Sequence, residues 1–217
     1  MSFYQVFDFL RDLRDNNHKE WMDQHRDEYE AVRDYVIEWI DRLNESLASA
    51  DDAYRPVAGK RAISRINNNL LYHPNKPTYK DHFGVELNIS GGKSGFYLQI
   101  SLSNNLVGGG MYKPKKEDLD KIRQAIDYDG EKLKKITANP SFKKTFGELH
   151  SKHALKTAPK GYSRDHEHID LLRLKSFAVM HPTTQKQIAG DGFIEDVTGL
   201  YKELMPFGQY LNKAVSV

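Results

Sequence analysis

Side chains that can bind anions are concentrated between residues 61 and 82. The ligand-binding candidates of this stretch are Arg61, Arg65, Lys76 and Lys80. A guanidinium offers a planar fork of donors to a carboxylate or phosphate, and a lysine ammonium offers a compact positive charge. If residues 61–66 form a strand, Arg61 and Arg65 project from the same face of it. The pattern predicts a site for a small phosphate- or carboxylate-bearing ligand.

Two residues of the same stretch are candidates for moving protons. Tyr79 and His82 are the predicted catalytic residues, with His73 as a further candidate and Glu86 as the nearest acid along the strand. An imidazole with a pKa of about 6.5 exchanges protons at neutral pH, and neighbouring cations lower that pKa. The alternative is a His82 that is partly buried and hydrogen-bonded and has no chemical role.

Three cations from later in the chain can join this patch, namely Lys113, Arg173 and Lys175. Together the cations predict an anion-binding site, and the protein could then be an enzyme acting on a phosphorylated or carboxylated metabolite. A second hypothesis is a non-catalytic interaction module whose basic surface binds an acidic protein. The simpler alternative is that these charges pair with the acidic segment 19–45 or face water, where ion pairs contribute little.

A third hypothesis is a metal-dependent hydrolase that uses late histidines and aspartates. The candidates are His150, His153, His166 and His168, with Asp165 and Asp170. Imidazole and carboxylate groups suit Zn²⁺ and similar ions, but this spacing matches no established site. The chain contains no cysteine, which excludes thiolate ligands, disulfides and cysteine nucleophiles. We therefore assign no metal ligand and predict no cofactor.

Composition narrows the class of protein. The 217 residues include 32 Lys and Arg against 30 Asp and Glu, a formal net charge of +2. Residues 1–55 carry 14 acidic and 7 basic side chains, whereas residues 113–175 carry 10 acidic and 16 basic ones. This excess is small and no nucleic-acid-binding module is recognisable, so nucleic acid is not an expected partner. An acidic start and the lack of an apolar run of about 20 residues predict a cytoplasmic protein without a signal peptide or membrane span.

Apolar residues at steps of three and four predict several helices. The clearest is a long helix of about 30 residues whose inward side chains run from Trp21 to Leu47. A capping box of Ser2 and Gln5 predicts a helix before it. Further helices are predicted after Pro114, ending at Gly130, then around residues 133–136, after Pro140, around residues 169–172, and over residues 193–214, where Pro206 is expected to kink or divide the helix.

Alternating apolar residues predict an antiparallel hairpin over residues 83–90 and 96–102. Further strands are predicted at 61–66, 106–112 and 175–181. Residues 91–95 are interpreted as the hairpin turn, because a phosphate-binding Walker A loop needs a glycine where Leu87 stands and leads into a helix. Three consecutive glycines at 108–110 predict a bulge or a close approach of another backbone or a ligand. The fold class is α+β, a single domain over 1–217 with an antiparallel sheet packed against the long N-terminal helix and the C-terminal helices.

Several short motifs occur in a specific order. They are Phe9-Leu10, residues 17–21, Arg65-Ile66, Lys76, Tyr79-Lys80, residues 82–84, residues 108–110 with Pro114, and residues 172–177. In this order the chain resembles the uncharacterised family called domain of unknown function 2461, over nearly its whole length. The resemblance implies an α+β fold and no established activity. The chain departs from the family pattern at Asn68, Asn69 and Leu71, where that pattern is richer in charge.

Overall fold

Four strands form one antiparallel sheet in which neighbours along the chain are neighbours in space. The computed structural model describes residues 1–216. The strands are β1 (His82–Asn88), β2 (Gly95–Ser101), β3 (Leu106–Met111) and β4 (Phe177–Pro182). The first three strands follow one another through short turns, whereas β4 comes after a long helical excursion. The predicted α+β class and the predicted hairpin are confirmed.

Helices account for most of the rest of the described chain. They are α1 (Phe3–Asp15), α2 (Lys19–Gln24), α3 (Arg26–Ala50), α4 (Gly59–Ala62), α5 (Lys116–Ala138), α6 (Pro140–Phe146), α7 (Ile169–Leu172), α8 (Gln185–Ile188) and α9 (Phe193–Ser216). The capping box that opens α1 is confirmed, since the backbone N–H of Ser2 donates to Gln5 Oε1 at 2.8 Å. From Met1 to Ser216, none of the helices combines the length and the apolar composition that a membrane crossing needs.

The inner face of the sheet packs against α9. Alternate residues of the strands, such as Phe83 and Phe96, are fully buried on this face. The ring of Phe96 meets Tyr201 of α9 edge-on, with centroids 5.2 Å apart. Behind α9 lies α3, whose Trp39 stacks on Phe193 at 5.5 Å. The helices that begin and end the chain thus cover one side of the sheet and leave its outer face open.

The predicted 30-residue helix is in fact two helices, α2 and α3, which are separated at His25. Its backbone leaves the helical region at φ −108° and ψ 25°, and its ring stacks on Trp21 with centroids 4.0 Å apart. The apolar spacing nevertheless continues across the break, because Trp21 and Tyr29 both pack on Phe9. A shared apolar contact therefore produced the periodicity of one long helix.

The predicted strand before β1 begins as a helical turn. The Asp41 carboxylate accepts the backbone N–H of Gly59 at 2.7 Å, and α4 starts there against α3. The chain becomes extended only at Ile63, which pairs with β1. Arg61 is consequently helical and Arg65 lies in the irregular stretch after α4, so the prediction that both project from one face of a strand is wrong.

The predicted end of the helix after Pro114 is confirmed to within one residue. Two helical segments of α5 meet at a kink at Asp129 (φ −149°, ψ 55°), one residue before Gly130, and the second segment contains the helix predicted around residues 133–136. A Cβ at Gly130 would lie 2.3 Å from the His168 ring, so any larger residue here would force the buried His168 to move. Pro206 lies within α9 without dividing it.

The triple glycine of β3 confirms the predicted close approach. A Cβ at Gly108 would lie 2.6 Å from the Val179 carbonyl of β4, and Gly110 has a φ of +111°. On the inner face, a Cβ at Gly109 would lie 2.9 Å from Leu204 of α9. The glycines thus let β4 and α9 approach β3 closely and leave the outer face of this strand almost bare.

Candidate anion-binding site

The sheet divides the predicted cations into two groups. Residues 61–82 lie along the free side of β1 and near its beginning, where His82 pairs with Ser101. Lys113 and Lys175 lie at the opposite end, because Met111 pairs with Phe177 and each lysine is two residues outside that pair. Strands are about 4.8 Å apart, so β1 and β4 are separated by about 14 Å. The single patch expected from the sequence is therefore two groups at opposite corners.

The two predicted catalytic residues belong to the first group. Tyr79 is only 5% exposed and belongs to the apolar core. Its backbone is fixed by Asn17, whose Oδ1 accepts the Tyr79 N–H at 2.8 Å and whose Nδ2 donates to the Tyr79 carbonyl at 3.0 Å. His82 is partly buried, with Nδ1 3.3 Å from Asp81 Oδ1. Tyr79 thus contributes to packing, and no geometry around His82 identifies a substrate.

The cations of the first group are spread over the surface. Arg61, Arg65 and Lys76 are exposed. The Lys80 ammonium donates to the carbonyl of Arg65, and burial, with a smaller contribution from Lys76, lowers the Lys80 pKa against the opposing effect of Glu86. None of these four side chains lines either of the two cavities described below.

The second group surrounds a cavity of about 350 Å³. Its lining consists of Lys113, Pro114, Leu119, His153 and Lys175, and we call it the basic pocket. Among these residues, which come from three separate stretches of the chain, there is no acidic side chain. Lys113 has a positive φ of 48°, and its backbone N–H donates to the buried hydroxyl of Ser176 at 3.0 Å. The pairing of β3 with β4 and this hydrogen bond thus fix the backbone positions of Lys113 and Lys175.

Aromatic rings form one wall next to the basic pocket. The ring of His150 lies 6.0 Å from that of His153 and 5.3 Å, edge-on, from that of Tyr112. Lys113 Nζ lies 5.2 Å from the centre of the Tyr112 ring. Within residues 1–216, the buried Nε2 of His150 has no hydrogen-bond partner. His150 Nε2 is therefore a buried polar atom without a hydrogen-bond partner among the described residues, and it lies beside the basic pocket.

Positive charge dominates the electrostatics of this corner. Desolvation lowers the pKa of the His153 imidazole, and the charges of Lys113, His150, Lys152 and Lys175 lower it further. Arg173, the third predicted cation of this group, points away, with Nη1 3.7 Å from Asp170 Oδ1. A bound anion would reverse the effect on His153, because an opposite charge favours the imidazolium form.

Arg123, which is not among the residues predicted from the sequence, supports the segment that carries Lys175. Its side chain is nearly buried, Nε donates to the Leu172 carbonyl at 3.0 Å, and Nη2 donates to the Leu174 carbonyl at 3.3 Å. The signal was present in the sequence, because Arg123 lies four residues after Leu119 on the apolar face of α5. An arginine in an apolar stripe indicates a buried acceptor.

The histidines considered as metal ligands serve separate purposes. His166 Nε2 lies 2.9 Å from Asp127 Oδ1, and His168 is buried against Gly130 at the kink of α5. His153 lines the basic pocket, and His150 lies beside it. In the part of the chain that the structure describes, no three His, Cys, Asp or Glu side chains gather in a way that could hold a metal ion.

A larger cavity of about 730 Å³ lies on the outer face of the sheet. We call it the outer groove. One row of its floor runs across the strands as Glu86, Tyr97, Gly108 and Met180, and the next row contains Gly95, Gly110 and Ala178. Pro114 lines both the outer groove and the basic pocket. The two cavities are therefore neighbours at the end of β3.

Fold and site together define an α+β protein with one antiparallel sheet, a basic pocket at one corner and an open outer groove. The model of the family described as conserved hypothetical protein (DUF2461) matches residues 5–210, and the chain belongs to this family. Neither the search of curated proteins nor the search of solved structures found a match. Membership confirms the resemblance seen in the motifs and assigns no activity.

Proposed function

We propose that this protein binds a small phosphate- or carboxylate-bearing molecule in the basic pocket. The observation that carries the proposal is the convergence of Lys113, His153 and Lys175 on one cavity whose lining has no acidic residue among those described. Like charges brought together in this way repel one another, and a bound anion relieves that repulsion. Near a protein surface, two opposite unit charges about 4 Å apart attract by roughly 4 kcal/mol before desolvation is subtracted.

The position of the pocket also favours an anion. It lies where α5 begins, between Pro114 and Leu119, and the first backbone N–H groups of a long helix attract negative charge. Of the two acids in the first turn, Glu117 and Asp118, Asp118 is already paired with Lys93 at 2.7 Å. The helix end adds positive potential to that of the two lysines, and the exposed Glu117 offsets part of it.

His153 is the group of this pocket that could move a proton. Its lowered pKa leaves the ring largely neutral at pH 7, which is the form that accepts a proton. If the protein is an enzyme, we expect His153 rather than Tyr79 or His82 to act on an anion held by the lysines, because the predicted catalytic pair lies at the opposite corner. Binding alone, without catalysis, needs no such step.

Thermal unfolding with inorganic phosphate tests the proposal. The key variant is Lys113→Ala/Lys175→Ala, which we call the double-lysine variant, and its matched control is Lys76→Ala, which removes an exposed lysine of the other corner. At ten times the Kd, a ligand stabilises the native state by about 1.4 kcal/mol. For a chain of this size that raises the Tm by about 3–6 °C.

We expect this rise in the wild type and in Lys76→Ala but not in the double-lysine variant. Phosphate also stabilises proteins generally by exclusion from their surface, and the difference between the two variants removes that contribution. An equal rise in all three proteins would refute the pocket. A rise lost only in Lys76→Ala would place the anion at the first corner. Binding of acidic peptides but not of phosphate would favour the interaction module.

A further inference from the structure

We propose that the natural ligand is an amphipathic anion, whose charged head occupies the basic pocket and whose apolar chain lies in the outer groove. This inference rests on the proposed function and adds the chemical class of the ligand. It starts from the position of Pro114, which lines both cavities. A molecule longer than a free anion would therefore extend from one cavity into the other.

Small residues form most of the floor of the outer groove. Gly95, Gly108 and Gly110 bring the hydrogen-bonded backbone of the strands to this floor, with Gly108 and Gly110 themselves buried, and Ala178 adds only a methyl group. Met180 is 41% exposed and adds apolar surface to the floor. Cavities of about 300–1,000 Å³ with apolar linings are typical of small-molecule sites, and the outer groove has about 730 Å³.

Four polar side chains along the groove are already partnered. The Tyr97 hydroxyl donates to Gln99 Oε1 at 3.2 Å, and Gln99 Nε2 donates to a backbone carbonyl at 2.8 Å. Lys93 and Asp118 form an ion pair at 2.7 Å. A polar ligand would have to break these contacts, whereas an alkyl or aryl chain would leave them intact.

Charge determines which end of the ligand goes where. Glu86 stands on β1, at the end of its floor row furthest from Met180 of β4, and is exposed, so it disfavours an anionic group at that end of the groove. Tyr112 stands at the other end, where its ring lines the groove and meets both Lys113 and His150. A molecule with one anionic end and one apolar end satisfies both observations, and a dicarboxylate does not.

Gly95 allows the groove to be filled without disturbing the fold. A Cβ at this position would meet nothing closer than 3.7 Å, and its φ is not in the left-handed region. Valine also suits a strand. Gly95→Val should therefore fold with a Tm close to that of the wild type and place two methyl groups in the path of an apolar chain.

Calorimetric titration with inorganic phosphate and with octyl phosphate, below its micelle concentration, tests the inference. A buried methylene increases affinity by about fourfold (about 0.8 kcal/mol). Burying only two of the eight carbons therefore predicts that octyl phosphate binds about 15-fold more tightly than phosphate. Gly95→Val should remove most of this gain and leave phosphate binding unchanged, whereas the double-lysine variant should weaken both ligands.

The outcomes separate the two proposals. If phosphate binds and octyl phosphate binds no more tightly, the inference about the chain is wrong and the proposed function stands. If neither binds, or if octyl phosphate binds equally well to the double-lysine variant, the basic pocket is wrong as the head-group site and both fail. A wild-type dimer in sedimentation that becomes monomeric in Gly95→Val would show that a second copy occupies the groove, which also overturns the inference.

Discussion

Arg123→Met offers the sharpest test of how the basic pocket is held in place. Arg123 is 9% exposed, and its guanidinium donates to two backbone carbonyls, those of Leu172 and Leu174. Methionine keeps much of the apolar stem but supplies no donor. Both carbonyls then lose a charged hydrogen-bond donor, and each such bond contributes about 1.5–3 kcal/mol.

The expected loss is about 3–5 kcal/mol in the free energy of unfolding, since methionine recovers some burial. For a domain with a total of about 5–15 kcal/mol, this is a large fraction and lowers the Tm by roughly 6–20 °C. The assay is urea unfolding followed by circular dichroism. Arg42→Met on the exposed side of α3 is the matched control, and it should change the free energy by less than about 0.5 kcal/mol.

Arg123→Lys separates the two hydrogen bonds, because one ammonium can replace only part of the planar fork. It should fall between the wild type and Arg123→Met. Phosphate binding should weaken in Arg123→Met at temperatures where the protein is still folded, since the segment that carries Lys175 loses its anchor. A change below about 1 kcal/mol in Arg123→Met would refute this reading of the buried arginine.

Three further predictions concern single groups. Saturating phosphate should raise the pKa of the His153 ring, measured by NMR titration. Phosphate should accordingly bind more tightly as the pH falls and His153 becomes protonated. An unchanged pKa of His153 would contradict phosphate binding in the basic pocket. Asn17→Ala should lower the free energy of unfolding by about 2 kcal/mol in urea, because the backbone of Tyr79 loses two hydrogen bonds. Burial alone would raise the pKa of Asp51, but hydrogen bonds, led by the one from Tyr201, keep this pKa below its ordinary value. The ionised Asp51 therefore stabilises the fold above the pKa that it has in the unfolded chain. This stabilisation is lost as the pH falls towards the lower pKa of the folded state. Asp51→Asn should therefore flatten the acid limb of the stability profile in urea unfolding between pH 6 and 3; an unchanged limb would show that other carboxylates set it.

The strands were predictable because each inner residue alternates with an outer one. Phe83 and Phe96 each begin a run of alternating apolar residues, and both are buried on the inner face of the sheet in the structure. The break at His25 was not predictable from periodicity, since Trp21 and Tyr29 contact the same phenylalanine from two different helices. Apolar spacing reports which side chains are buried, not whether the backbone between them is continuous.

The candidate site was predictable in its residue types and not in its grouping. Lys113 and Lys175 were recognised as cations, but only the pairing of Met111 with Phe177 shows that they meet. Arg61 has the same chemistry and lies at another corner because its chain runs beside β1. Local sequence cannot distinguish these cases, since strand pairing over more than 60 residues decides them.

The junction between β3 and β4 also has a consequence for the order of folding. The strands β1 to β3 are joined by short turns and can form a meander early, since local contacts close quickly. Pairing β4 with β3 requires closure of the whole helical excursion, for which the entropy loss is larger. Lys113 follows β3 and Lys175 precedes β4, so the basic pocket forms only when these two strands have paired. An anion that binds in the pocket would therefore bind only the fully folded chain and would stabilise the β3–β4 pairing.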